Sequence, residues 1–256
     1  MNLPGDFLTL LPPPVVWDEG RVREYVGEAE ALVSNLGGDV AVNVPEVVRL
    51  SRRPRPFPFT EKMDLLEFGR LLKGRGLDVY LDRHFPLLPK EKTLRWMEEA
   101  KTVADGVVVV GRILSDYPYP GYDVEEAISL ARRIFPHVGA ITIINRPNEE
   151  VRACSKVRAG ADFLISQITF MPEEVERFVI KLKGACGGSF PRLYVSVAPV
   201  FGEEELQLLR WMEVPIPRRI PPLKALAERM REIPGVAGIN YEHLRYSNVG
   251  RLLGGP

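Results

Sequence analysis

The chain reads as one α/β domain, a (β/α)8 TIM barrel spanning residues 1–256. Three observations predict this. Short apolar runs alternate with helical patterns eight times over 256 residues, about 30 residues per unit. Runs such as Gly106–Val110 are apolar throughout, as strands of a parallel sheet covered on both faces must be. Neither G-x-G-x-x-G nor a Walker loop occurs, which sets aside the open doubly wound sheet.

Phe7–Leu11 is the first strand, stopped by Pro12, Pro13 and Pro14, which cannot extend a ladder. Asp18 caps a helix in which Val22, Tyr25, Val26, Ala29, Leu32 and Val33 recur at helical spacing, and Gly37-Gly38 closes it. Asp39–Val44 is strand two, ended by Pro45. A loop over 46–60 carries Arg49, Arg52, Arg53 and Arg55 among prolines, and Thr60 caps the helix that follows. Leu77–Leu81 is strand three; it delivers Asp82, Arg83 and His84, and Pro89 opens the next helix. Strand four is Gly106–Val110, delivering Gly111 and Arg112 to a loop with Asp116, Tyr117 and Tyr119, before Asp123 caps another helix. Val138–Ile144 is strand five, delivering Asn145, Arg146 and Pro147 to a helix over 148–159. Gly160 turns the chain, because a helix end favours a residue at ease with positive φ. Phe163–Ile168 is strand six. Pro172 sits in a helical first turn, and Gly184, Gly187 and Gly188 end that helix. Leu193–Ala198 is strand seven, followed by helices over 203–212 and 223–233. Val236–Asn240 is strand eight, delivering Tyr241, His243 and Arg245 before a final short helix.

Composition narrows the function. Lys plus Arg and Asp plus Glu are both 34, which argues against a nucleic-acid binder driven by bulk charge. No apolar run approaches the ~20 residues of a membrane span. The N-terminus lacks a basic region followed by a long apolar stretch, so no signal peptide and a cytoplasmic location are expected. Cys154 and Cys186 suggest neither a zinc site nor a disulfide framework, and no metal is expected.

Barrel chemistry sits at the carboxyl ends of the strands. That rule selects Thr9, Asn43, Asp82, Arg83, His84, Arg112, Asn145, Arg146, Gln167, Tyr241, His243 and Arg245. Arginines converging on one mouth repel unless an anion or carboxylates neutralise them, so an acidic or phosphorylated ligand is one expectation. Histidines 84 and 243 have the right titration range for acid–base work, or are polar loop residues. Tyr119 and Tyr122 are placed either to stack on a flat ring or to lie across proline-rich backbone. The arginines of 49–55 read as a phosphate or RNA contact, a solvated loop or an oligomer contact.

The stretch Lys156-Val-Arg-Ala-Gly-Ala-Asp-Phe-Leu-Ile-Ser-Gln167 resembles the strand-six signature of the methylenetetrahydrofolate reductases. Tyr241-Glu-His-Leu-Arg245 keeps the Tyr-x-x-x-Arg spacing of their last strand, and Tyr117-Pro-Tyr119 is similar to their loop after strand four. The resemblance implies a TIM barrel using FAD and NAD(P)H to reduce a methylene-pterin of the folate type. It places Gln167, Tyr241 and Arg245 on the pterin or nicotinamide. Asn43, Arg112, Tyr119, Lys156 and Ala161 would border the flavin, Asn43 standing where the family usually has threonine. The first strand departs from the family: Thr9 stands where a glutamate serves as general acid, a role typically worth 10²–10⁴-fold. Ile113 stands where the family has an aspartate. Asp82, His84 and Asp116 are the candidate replacement acids. The alternative is a non-catalytic pterin- or flavin-binding barrel, or a subunit of a one-carbon enzyme complex. A third reading is a lyase or methyltransferase built on Asp82, Arg83 and His84, since barrels host many chemistries. A homo-oligomer or a one-carbon enzyme partner is compatible with each.

Overall fold

The computed structural model describes residues 2–187 and 190–246. Eight parallel strands close into a barrel in sequence order: β1 (Asp6–Thr9), β2 (Val40–Val44), β3 (Val79–Arg83), β4 (Gly106–Val109), β5 (His137–Thr142), β6 (Phe163–Ser166), β7 (Arg192–Val197) and β8 (Val236–Glu242). Among the described residues, eight α-helices surround it: α1 (Glu19–Leu36), α2 (Leu65–Lys73), α3 (Lys90–Ala100), α4 (Val124–Ala131), α5 (Glu149–Arg158), α6 (Pro172–Cys186), α7 (Glu203–Trp211) and α8 (Leu223–Arg231). This is the (β/α)8 architecture that the alternation predicts. No helix among the described residues is long and apolar enough to cross a membrane.

Local chemistry sets the boundaries. The Asp18 side chain accepts from Arg21 N at 2.9 Å and starts α1, and Asp123 and Glu126 form a reciprocal capping box on α4. Gly160 takes a φ of 117° between α5 and β6, where any Cβ is strained. Several expected limits shift. The start of α2 moves from Thr60 to Asp64, whose carboxylate accepts from Leu66 N at 2.8 Å. Gly184 lies within α6, which runs on to Gly187 in the left-handed region. Strand six ends at Ser166, and β8 continues through Glu242. Gly188 and the expected last helix lie outside the described residues. Cys154 of α5 and Cys186 of α6 are paired as a disulfide, with Cα atoms 5.3 Å apart. That corrects the expectation of no disulfide: thirty-one intervening residues hid a contact between neighbouring helices.

Two cores result. The larger lies between the barrel and the helices. The smaller fills the barrel itself with Phe7, Ala41, Tyr80, Val108, Phe163, Ile165 and Tyr194. Phe7 packs against the rings of Tyr80, Phe163 and Tyr194 with centroids 5.0, 5.4 and 4.7 Å away. Gly139 makes room for this cluster, since a Cβ there would strike the Phe163 ring.

Candidate ligand site at the barrel mouth

Side chains alternate across a strand, so the inward aromatics fix which later residues also face inward. Two positions beyond Phe7, Ala41 and Tyr80 come Thr9, Asn43 and Asp82. Strand pairing brings in the rest: Thr9 is in register with both Asn43 and Glu242, and Ser196 with Asn240. The aromatic floor is therefore capped by a polar ring of Thr9, Asn43, Asp82, Ser196, Asn240 and Glu242.

Hydrogen bonds run round this ring in one direction. Asn43 Nδ2 donates to Thr9 Oγ1 at 3.2 Å, and Thr9 Oγ1 donates to Asn240 Oδ1 at 2.8 Å. Asn240 Nδ2 donates to Ser196 Oγ at 2.8 Å and to Glu242 Oε1 at 2.9 Å. Ser196 Oγ donates to the Ser166 carbonyl at 2.6 Å. Two acceptors are left over. Asn43 Oδ1 and Asp82 Oδ1 are buried without a hydrogen-bond partner, and a buried orphan of this kind costs about 1–3 kcal/mol.

The two acids of the ring are pushed toward their neutral forms. Burial raises Asp82 well above the usual carboxylate range, the Glu242 charge adds to it, and a hydrogen bond from Asn43 opposes it. Burial raises Glu242 to about 7 against hydrogen bonding from Ser196 and Asn240. Glu242 keeps some accessible surface, so it can exchange protons at neutral pH. Over Asp82, the Glu46 carboxylate takes Arg83 Nη1 at 2.7 Å and His84 N at 2.7 Å. Burial and the Arg83 charge lower His84 to about 4, and its Nδ1 lies 3.1 Å from the Gly111 carbonyl. A neutral ring donating through Nδ1 satisfies both facts.

The loop between β2 and α2 arches over this ring. It is tied to the β1 side by Met63 N donating to Pro13 O at 2.8 Å, and to the β4 side by Arg52 Nε donating to Ile113 O at 2.6 Å. On the β7 side Arg53 pairs with Glu213 at 2.6 Å, and Trp211 Nε1 donates to Arg53 O at 3.3 Å.

Of the residues expected at the site, Asn43, Asp82 and Thr9 come together in the ring, with His84 at its rim. Others are placed elsewhere. Asp116 is exposed on the loop after β4. Arg112 is also exposed, ion-paired with Asp123 and 5.4 Å over the Tyr119 ring. Tyr119 uses its hydroxyl to accept from Ile113 N and Leu114 N, both at 2.8 Å, bracing its own loop. Lys156 is buried behind the sheet, donating to Ile141 O at 2.7 Å and Glu149 at 3.1 Å. Ala161 packs in the outer core. Gln167 Nε2 donates to Met212 O at 2.7 Å, so its amide already has a partner. Tyr241 points away from the mouth, where its hydroxyl accepts from Arg231 at 3.2 Å. Arg245 pairs with Glu204 of α7. The strand-exit arginines do not require an anion: Arg83, Arg112, Arg146 and Arg245 each have a carboxylate partner. Nor do the five residues that the resemblance sets round a flavin form one cradle, because Asn43 faces the barrel interior while Lys156 and Ala161 lie on the opposite face of the sheet.

Sequence reasoning missed Glu242, Asn240 and Ser196. The signal was Gly238-x-Asn240-x-Glu242, polar at alternate positions of an otherwise apolar strand. Ending the strand at Asn240 directed attention to Tyr241 and His243, whose parity faces the helices.

No family model matches the chain, and no curated protein matches it. Among solved structures it is similar to an uncharacterized protein from Clostridium thermocellum that binds two copies of 5-methyl-5,6,7,8-tetrahydrofolic acid. That match has a TM-score of 0.73 at 15% identity, over 96% of this chain and 93% of the other. At this identity the likeness establishes the barrel fold.

Proposed function

We propose that the barrel mouth binds a reduced pterin of the folate type, and that the chain is a pterin-binding barrel or subunit. The observation that carries this is the pair of unpartnered buried acceptors, Asn43 Oδ1 and Asp82 Oδ1. The pyrimidinone edge of a pterin presents a ring N–H beside an exocyclic amine, two adjacent donors that such acceptors suit. The similarity in fold to a protein that binds 5-methyltetrahydrofolate supports the same ligand class. Asp82 and Asn43 would hold the pyrimidine edge, and the ring network would fix their rotamers. Because Thr9, Asn43, Asp82, Ser196 and Asn240 are almost fully covered, the β2–α2 loop would move to admit the ligand.

A second reading rests on Glu242. Ionising at about 7 and in register with Thr9, it is matched to proton transfer at neutral pH and would protonate or deprotonate a bound pterin. Titration calorimetry with 5-methyltetrahydrofolate and, separately, FAD tests the binding reading, and its repetition with Glu242→Gln in buffers of differing ionisation enthalpy tests whether Glu242 exchanges a proton with the ligand. The binding reading expects folate to bind and Asp82→Asn to weaken it about tenfold or more. Binding of FAD without folate, or folate affinity indifferent to Asp82→Asn, overturns it.

A further inference from the structure

The loop that covers the mouth carries a recess of about 730 Å³, walled by Arg49, Arg53, Arg55, Phe57 and Phe59. Its arginines are not equivalent. Arg52 and Arg53 share Glu213 at 3.8 and 2.6 Å. Arg49 and Arg55 make no ion pair among the described residues, yet both lie over one ring, with guanidinium carbons 4.8 and 5.2 Å from the Phe59 centroid. Arg55 also lies 4.8 Å over Trp211, and its Nε is buried without a partner. Lys62 adds a third cation near Arg55, whose charge lowers the Lys62 pKa after burial has done so. Like charges held on one aromatic ring repel. An anion entering between them relieves the repulsion and gains charge-assisted hydrogen bonds.

The recess has a flat apolar wall beside two uncompensated guanidiniums. It suits a small aryl carboxylate, whereas a nucleic acid needs a row of cations along its phosphates, and the chain as a whole has no net positive charge. We propose that this recess takes the benzoylglutamate tail of the ligand whose pterin occupies the mouth, the aryl ring against Phe57 and Phe59 and the carboxylates on Arg49 and Arg55. The proposal rests on the pterin reading for the ligand's identity. It adds that the tail seats on the same loop that must move, so tail binding and closure over the pterin are coupled.

Calorimetry with three probes separates the two ideas: 5-methyltetrahydrofolate, 6-methyltetrahydropterin without a tail, and p-aminobenzoyl-triglutamate without a pterin. Wild type, Arg49→Gln and Arg55→Lys are compared, the last keeping charge while losing the fork, with thermal melts confirming that each is folded. The expected result is that the tail tightens binding about tenfold or more, that Arg49→Gln removes this advantage, and that 0.5 M salt reduces it. Equal affinity with and without the tail, unchanged by Arg49→Gln, overturns the tail site and leaves the mouth reading intact. If only p-aminobenzoyl-triglutamate binds, with the same arginine dependence, the aryl-carboxylate site stands and the pterin reading falls. Inorganic phosphate competing fully at equal concentration, or no binding of any probe, overturns the proposal.

Discussion

Replacing Glu242 by Gln tests whether the ring holds a proton. The Glu242 carboxyl ionises at about 7 in the folded chain against 4.5 for an ordinary glutamate. Below about 4.5 both states hold the proton, between 4.5 and about 7 the native state alone holds it, and above that neither does. Stability from this group is therefore present at low pH and lost as pH rises through that window. Integrated from about pH 5 to about pH 8, the loss is about 2.5 kcal/mol. Two histidines act in the opposite sense. His84 and His243 are lowered from 6.5 to about 4, chiefly by burial, so their contribution is full above 6.5 and lost as pH falls toward 4. The wild-type curve mixes these trends, but the difference between wild type and Glu242→Gln cancels the histidines. Urea unfolding at about half-unit pH steps should show Glu242→Gln gaining about 2.5 kcal/mol on wild type between the two limits. Relief of Asp82 from the Glu242 charge adds to the difference with the same sign. A difference that stays flat within about 0.5 kcal/mol refutes the claim that the fold keeps Glu242 protonated.

Three further outcomes are expected. Asp82→Asn should raise stability at pH 8, by roughly 1–3 kcal/mol, since it replaces a buried group whose charged form burial disfavours with a neutral one of the same shape; denaturation midpoints at pH 8 check this, and a loss would mean that the carboxyl is better satisfied than its geometry shows. Gly139→Ala should destabilise by about 1–3 kcal/mol or more by forcing the Phe163 ring off its place, readable as a drop in melting temperature and a changed aromatic circular dichroism signal. Cys154→Ser, or strong reductant on the wild type, should cost about 3–4 kcal/mol by reopening a link between residues 32 apart in sequence, and equal melting temperatures with and without reductant would contradict it.

The barrel was legible because it depends on pattern. Period-two and period-3.6 apolar runs survive errors of two residues at a boundary, so moving the start of α2 from Thr60 to Asp64 left the architecture unchanged. The site was less legible because it depends on parity, which a single residue reverses. Asp82 and Asn43 were found because strands two and three were bounded nearly correctly. A strand eight that stops at Asn240 hides the inward Glu242, and the Tyr-x-x-x-Arg resemblance points instead to the outward Tyr241. The absence of an acid at Thr9 could be read from the sequence. That a carboxyl stands in register beside it on β8 could not, because the barrel's closure joins residues 231 and more positions apart. The pairings of Gln167 with Met212 and of Arg245 with Glu204 were invisible too, because each joins segments far apart in sequence.

The aromatic floor makes the barrel a well with one opening. Phe7, Tyr80, Phe163 and Tyr194 fill the far end, so among the described residues the polar ring is approached from the side of the β2–α2 loop. Anything lodged against the polar ring is first in and last out, and whatever sits above it must leave before it can. If the proposed sites are filled together, exchange of the deep occupant would be set by how often that loop opens, and occupancy of the loop's own recess would slow the exchange without any contact with the deep occupant.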